Sequence, residues 1–368
     1  MYKGLLNSRK HLLGLAAVTL VIIAALPFLH IDFIADAVSV RLAENAFFVP
    51  RDENFELNAS TILKEIYFGG EYHDFEEKVI ILKENSVTQN KSDTPDDSMD
   101  NLPNTVPEEA APNLHPIIRC DLSSDSPLVL NNTTSKRPDT GLLLNSDYDF
   151  GYNKDSSDPL VLVLHTHATE CYSRENSTYY DETVVTRSND STLNMIAVGK
   201  VLTDTLENNG IHTLHCEIMH DEKSYSGAYS LAADTIKEYL ELYPSIRYVL
   251  DLHRDAVMYE SGAKARPVTE ADGKPAAQMM VLVGTDAGGA NFPHWEKNLT
   301  LALKLTDKLM IDYPGLMRPV ALRGASYNEQ YTTGSLLIEV GTDGNSLSQA
   351  KYSAELLGKA LAELIKDE

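Results

Sequence analysis

The stretch LVLVLHTHATECY, residues 160–172, begins as an aliphatic run and ends in His165, His167, Glu170 and Cys171. A short apolar run bounded by polar residues reads as a buried strand that delivers side chains to a site at its end. The sequence that follows keeps the alternation going. STLNMIAVGKVLTDTLENNG (191–210) spaces its apolar residues as a helix does and closes at Gly210. IHTLHCEIMH (211–220) reads as a strand, AYSLAADTIKEYLELYP (228–244) as a helix stopped before Pro244, and IRYVLDLHRDA (246–256) as a second buried strand. AAQMMVLVG (276–284) and GSLLIEVGTDGNS (334–346) complete the strands, while residues 295–315 and 346–367 complete the helices. Alternating strands and helices predict an α/β domain with about five strands covered by helices.

Ligands of open α/β sheets gather at the carboxyl ends of strands. Three strands here end in reactive side chains: the first in His165, His167 and Glu170, another in Asp251, His253, Arg254 and Asp255, and the last in Glu339. Residues two apart on a strand share a face, so His165 with His167, and Asp251 with His253, are each placed to enter one cleft. Imidazole and carboxylate donors with an open position describe a catalytic zinc better than a structural one, which is usually closed and thiolate-rich. Carboxylates beside the histidines would fix their tautomers. Histidines 212, 215 and 220 read as polar edge residues, and Trp295, the one tryptophan, as a packing residue.

Leu12 to Leu29 form an uncharged apolar segment of 18 residues, preceded by Lys3, Arg9 and Lys10. That length approaches what a bilayer core requires, and the basic flank predicts a cytoplasmic N-terminus with the remaining chain exported. The competing expectation is a signal peptide cleaved near Ala35-Asp36-Ala37. QNKSDTPDDSMDNLPNTVPEEAAPN (89–113) is rich in Asp, Glu, Pro, Ser and Asn, and is expected to be a disordered tether. The net charge of −23 speaks against nucleic acid as a partner. Three cysteines, Cys120, Cys171 and Cys216, include no CxxC pair and predict no disulfide framework.

HTHATECY, NMIAVGKVL, VLDLHRDA and GSLLIEVGTDGNSLSQA, in that order and with SPLVLNNTT before them, resemble the stage II sporulation protein P family. That family's domain is related to zinc-dependent N-acetylmuramoyl-L-alanine amidases. The resemblance runs from about Leu128 to the C-terminus and implies a mixed central sheet sandwiched by helices, behind an N-terminal transmembrane helix and a disordered linker. The chain then divides into an anchor (1–30), a juxtamembrane extracytoplasmic region (31–84), an acidic linker (85–115) and an amidase-like catalytic domain (116–368). The implied activity is hydrolysis of the amide between muramic acid and the L-alanine of the peptidoglycan stem, and the family is also credited with cleaving cross-links. The implied setting is engulfment during endospore formation, on the mother-cell membrane facing the forespore, with stage II sporulation proteins D and M as partners.

Under that resemblance zinc is expected on His165, Glu170 and His253, with His167 as a further ligand or a supporting group. Glu339 is the expected general base and Arg254 the expected oxyanion or carboxylate contact. Related amidases carry a ligand Glu where this chain has Asn194, and an amide is a poor substitute. The family's Tyr-Asn pair falls on Tyr327 and Asn328, with Ser326 where the family has Arg. Two alternatives stand beside the zinc amidase: a cysteine hydrolase with Cys171 as nucleophile, and a wall-binding protein that does not cut.

Overall fold

The computed structural model describes residues 79–82 and 113–366. The apolar segment 12–29, the juxtamembrane residues up to 78 and the acidic stretch 83–112 lie outside the described residues. No helix among the described residues is long and apolar enough to cross a membrane. In chain order the strands are β1 (Ile80–Leu82), β2 (Leu114–Cys120), β3 (Leu130–Asn132), β4 (Val161–Leu164), β5 (Tyr179–Asp181), β6 (Thr213–His215), β7 (Tyr248–Asp255), β8 (Val257–Tyr259), β9 (Lys264–Ala271), β10 (Lys274–Ala277), β11 (Met279–Val283), β12 (Val320–Leu322) and β13 (Gly334–Thr342). The helices are α1 (Thr140–Leu144), α2 (Met195–Asn208), α3 (Ala228–Leu242), α4 (Trp295–Asp312) and α5 (Leu347–Lys366).

A seven-stranded sheet in the order β3-β12-β11-β13-β7-β4-β6 forms the centre. β6, β4, β7 and β13 run parallel, and β11 turns against β13 with β12 and β3 following its direction. The sheet is mixed, as the family resemblance implies. Strand alternation assigns its two faces. Val161 and Val163, Leu250 and Leu252, and Leu336, Ile338 and Val340 share one core with apolar residues of α2, α4 and α5. Leu162, Leu164 and Val249 face the other way, against Ala232 and Ile236 of α3. Burying each such Val or Leu contributes roughly 2 kcal/mol, so the strands have helices on both faces.

The α2 sequence forms a helix because Met195, Val198, Leu202 and Leu206 recur on one face and Asn194 caps it, accepting the Ile196 N–H at 3.0 Å. Gly210, at φ +76°, carries the chain out of that helix in a conformation that favours glycine. Trp295 is buried in the first turn of α4, as a packing residue.

A second sheet was not legible in the sequence. It runs β1-β8-β9-β2-β5, with β10 paired to β9, and β8 is reached from β7 through Ala256 alone. β1 pairs in parallel with β8, Ile80 opposite Val257 and Leu82 opposite Tyr259. The folded domain therefore takes in residues 80–82 and 114–115, which the sequence reading placed in the juxtamembrane region and the linker. Two strands on either side of the acidic stretch belong to one sheet.

Candidate active site

The face of the central sheet shared with α3 carries the site, at the carboxyl ends of β4, β7 and β13. Asp251 and His253 follow Val249 on that face, and Glu339 follows Leu337. Glu339 is in register with His253 across the parallel β13–β7 pair, and Leu164 with Asp251 across β4–β7. Three strands thus bring their acids and imidazoles to one edge.

The turn after β4 supplies the remainder. Thr166 donates its backbone N–H (2.8 Å) and its hydroxyl (2.6 Å) to Asp251, which ties the turn to β7. His167 stacks flat on Tyr225, ring centroids 4.0 Å apart, and meets His253 edge-on at 5.3 Å. Glu170 Oε2 accepts the Arg254 backbone N–H at 3.2 Å and lies 3.7 Å from His253 Nδ1. On the other side of that ring, His253 Nε2 is 3.1 Å from Asp251 Oδ1, but off the line of a hydrogen bond, so the nitrogen is unsatisfied.

Buried acids in this cleft are interleaved with the cations Arg187, His253 and Arg318. Burial pulls the His253 imidazole down, but Asp251, Glu170 and Glu339 outweigh it and lift it to about 10. Burial raises the Glu339 carboxyl, Asp255 and Glu170 add to the rise against His253 and Arg318, and the result is about 8. Asp251 moves the other way: burial opposes its charge, yet His253 and the two Thr166 bonds hold it at about 2. His167, pushed down by burial and by His253, sits at about 2 and is neutral at physiological pH.

A divalent cation fits these residues. Both ring nitrogens of His167, Nε2 of His253 and Oε2 of Glu339 are shielded from solvent without a hydrogen-bond partner. Buried polar atoms are rarely left so, and a cation among the carboxylates would satisfy several of them. Among the described residues no three His, Cys, Asp or Glu side chains are already drawn together as a metal centre. Two ligand atoms on one zinc lie roughly 3.3 Å apart; Glu170 Oε2 stands 3.7 Å from His253 Nδ1, so a cation between them needs a small adjustment and leaves Nε2 facing Asp251.

Two residues expected in the cleft, His165 and Arg254, are engaged elsewhere. His165 points away from the cleft: it continues the Val161–Val163 face, donating Nδ1–H toward the Leu252 carbonyl (3.2 Å) and meeting His215 Nε2 at 2.9 Å. Both its nitrogens are engaged, and it is His167 that meets His253 in the cleft. Arg254 is committed to backbone carbonyls, with Nε on Cys171 (2.9 Å) and Nη2 on Thr186 (3.1 Å), so it braces the loop. Asn194 uses its amide oxygen to cap α2 and its amide N–H on the Ser188 carbonyl (2.9 Å), a donor that a glutamate lacks. The Cys171 thiol is pushed up by burial despite Arg254 and Lys264 nearby, the opposite of an activated thiolate. His220 also departs from an edge role, buried between the His165 carbonyl (3.0 Å) and Thr235 (2.9 Å).

Sequence reasoning missed Asp221, Arg187, Tyr225 and Tyr229. Asp221 accepts the Thr169 N–H and hydroxyl and the Arg187 guanidinium (3.0 Å), and stands 3.8 Å from His167 Nδ1. Tyr229 stacks parallel to His253 at 6.3 Å and meets Tyr327 at 6.0 Å. Tyr327 and Asn328 both have positive φ, 50° and 62°, and Asn328 donates to the Tyr229 carbonyl at 2.8 Å. Two consecutive non-glycine residues in that region signal a turn held for a purpose beside the site.

Fold and site together define a mixed α/β domain with an acid-and-imidazole centre at its strand ends. A model of the stage II sporulation protein P family matches residues 55–362, and the chain belongs to that family. Stage II sporulation protein P of Bacillus subtilis (strain 168) is 25% identical over 219 residues, covering 56% of this chain and 51% of that protein. The chain thus spans about half the length of the curated relative it matches. Similar solved structures include the N-acetylmuramyl-L-alanine amidase Ami1 from Mycobacterium smegmatis, at 12% identity over 57% of this chain and 99% of that one, TM-score 0.32. Another is the N-acetylmuramoyl-L-alanine amidase from Clostridium difficile 630, at 12% identity over 58% and 100%, TM-score 0.30.

Proposed function

We propose that the chain is a zinc-dependent peptidoglycan hydrolase of sporulation, an N-acetylmuramoyl-L-alanine amidase held at the membrane by residues 12–29. Family membership supports the sporulation setting. The observation that carries the chemistry is the pair of buried side chains with unpartnered atoms, His167 and Glu339, in the cleft that also holds Glu170 and His253. His167, Glu170 and His253 would hold the zinc, which would acidify a water and polarise the amide carbonyl.

The residues do the rest. Glu339, poised near neutrality by burial, takes a proton from the attacking water. As the oxygen bonds to the lactyl carbon and the C–N bond breaks, Glu339 passes that proton to the departing L-alanine amine. Asp251, fixed by Thr166, holds the His253 ring in place, and the faces of Tyr225 and Tyr229 set the planes of the two imidazoles. Partnership with stage II sporulation proteins D and M, action during engulfment from the mother-cell membrane, and additional cross-link cleavage belong to the same proposal.

Metal content tests the ligand set without relying on activity. His167→Ala and His253→Ala should each lose stoichiometric zinc by mass spectrometry, whereas His165→Gln should retain it. Zinc lost from His165→Gln but kept by His167→Ala would reverse the assignment.

A further inference from the structure

Arg318 lies in the turn leading into β12, its backbone N–H on the Met279 carbonyl at 2.8 Å. Because β11 and β12 run against β13, with Met280 in register with Glu339, that turn falls at the site's end of the sheet. The residue is 5% exposed, and Nη2 donates to Asp255 at 2.7 Å. Asp255 follows His253 on the same face of β7. Nη1 is shut off from solvent and has no hydrogen-bond partner, and the same holds for Glu339 Oε2. The two groups are close enough for the Arg318 charge to act on the Glu339 carboxyl. A charged donor buried without an acceptor is costly, and rarely kept unless something completes it.

We propose that Arg318 is a substrate-binding residue, whose unpaired Nη1–H takes an acceptor oxygen of the stem peptide beside the bond that Glu339 serves. The proposal rests on the amidase reading. Asp255 neutralises the guanidinium through Nη2, which leaves Nη1 for an acceptor on the ligand. A carboxylate of the peptide and a backbone carbonyl present the same acceptor chemistry. A peptide with its glutamate α-carboxylate free, compared with one in which it is amidated, separates them.

The test uses the full chain as Arg318→Lys and Arg318→Gln, with zinc content and melting temperature measured alongside. Arg318→Lys keeps the charge opposite Asp255 and withdraws the second N–H. It should raise KM for a muramyl-peptide substrate and weaken binding of the free stem tripeptide, each about tenfold, with zinc and kcat little changed. Equal loss for the free and amidated peptides identifies a carbonyl contact, and loss confined to the free one identifies the carboxylate. Unchanged KM and peptide affinity in both variants, or a change in melting temperature alone, overturns the proposal. In the unaltered chain the Arg318 guanidinium 15N signal should shift on adding the tripeptide, and no shift overturns it even where both variants fail to fold. Wild-type cleavage with unaffected variants sinks the Arg318 proposal alone; a wild-type chain that neither cleaves nor binds sinks the amidase reading with it.

Discussion

Glu339 carries the account at the scale of single residues. Glu339→Gln removes the proton acceptor while keeping nearly the same volume, so turnover should fall at least about a hundredfold with wall binding and zinc content intact. Turnover within a few-fold of wild type would remove Glu339 from the mechanism. His165 makes a different prediction. Burial and the neighbouring His215 hold it at about 3, and burial also lowers His215. The folded protein then binds no proton at His165, and binds one less readily at His215, where the unfolded chain titrates near 6.5. Stability is therefore kept above about pH 6.5 and lost below it, by roughly 1 kcal/mol per pH unit. Glu339 and His253, both raised on folding, pull the other way over this window, so the test compares the zinc-free protein with its His165→Gln variant. From pH 7.5 to 5.5 the urea midpoint of the unaltered chain should shift further toward instability than that of the variant, and equal shifts would contradict the buried neutral pair. Part of the arrangement was legible: His253, Glu170 and Glu339 read as strand-end residues, and the structure brings them to one edge of the sheet. What hid the choice between His165 and His167 was one boundary. β4 ends at Leu164, so His165 keeps strand parity and faces α2, while the turn that follows swings His167 to the opposite face.

At the scale of elements, α2 depends on close approach to β4. A Cβ on Gly199 would run into the His165 ring and lie 2.7 Å from His215 Nε2. Gly199→Ala should therefore destabilise by about 2 kcal/mol from overpacking, despite alanine's better helix propensity; a stabilised protein in thermal melts would show that the histidine pair is not packed there. The central strands and α2 to α5 were readable because aliphatic runs and helical spacing announce them. The second sheet was not, since its strands are short or interrupted by proline and charge, as in LHPIIRC, KARPVTEA and KPAA. KARPVTEA contains Lys264 and Arg266, which read as surface residues; yet Lys264 is buried against Asp343 (2.6 Å), and Arg266 reaches the Gly344 carbonyl at 2.6 Å. Tertiary partners, absent from any local pattern, make that segment a strand.

For the whole molecule, the domain starts earlier than the change in composition suggests. β1 covers a small core of Cys120, Val257, Tyr259, Ala263 and Ala265, with Ile80 and Leu82 packed on it. A chain beginning at residue 116 should be less stable than one beginning at 72 by about 2 kcal/mol, read as a lower urea midpoint; equal midpoints would make β1 dispensable. The apolar segment 12–29 and the acidic stretch remain sequence-level expectations of an anchor and a tether. On the proposed function, this chain cuts the wall's muramyl amide with zinc. The direct measurement is mass spectrometry of purified peptidoglycan incubated with residues 72–368, untreated, chelated, and chelated with zinc restored. The account predicts free stem peptides and denuded glycan, lost on chelation and recovered with zinc; cleavage indifferent to chelation, or none in any condition, would contradict it.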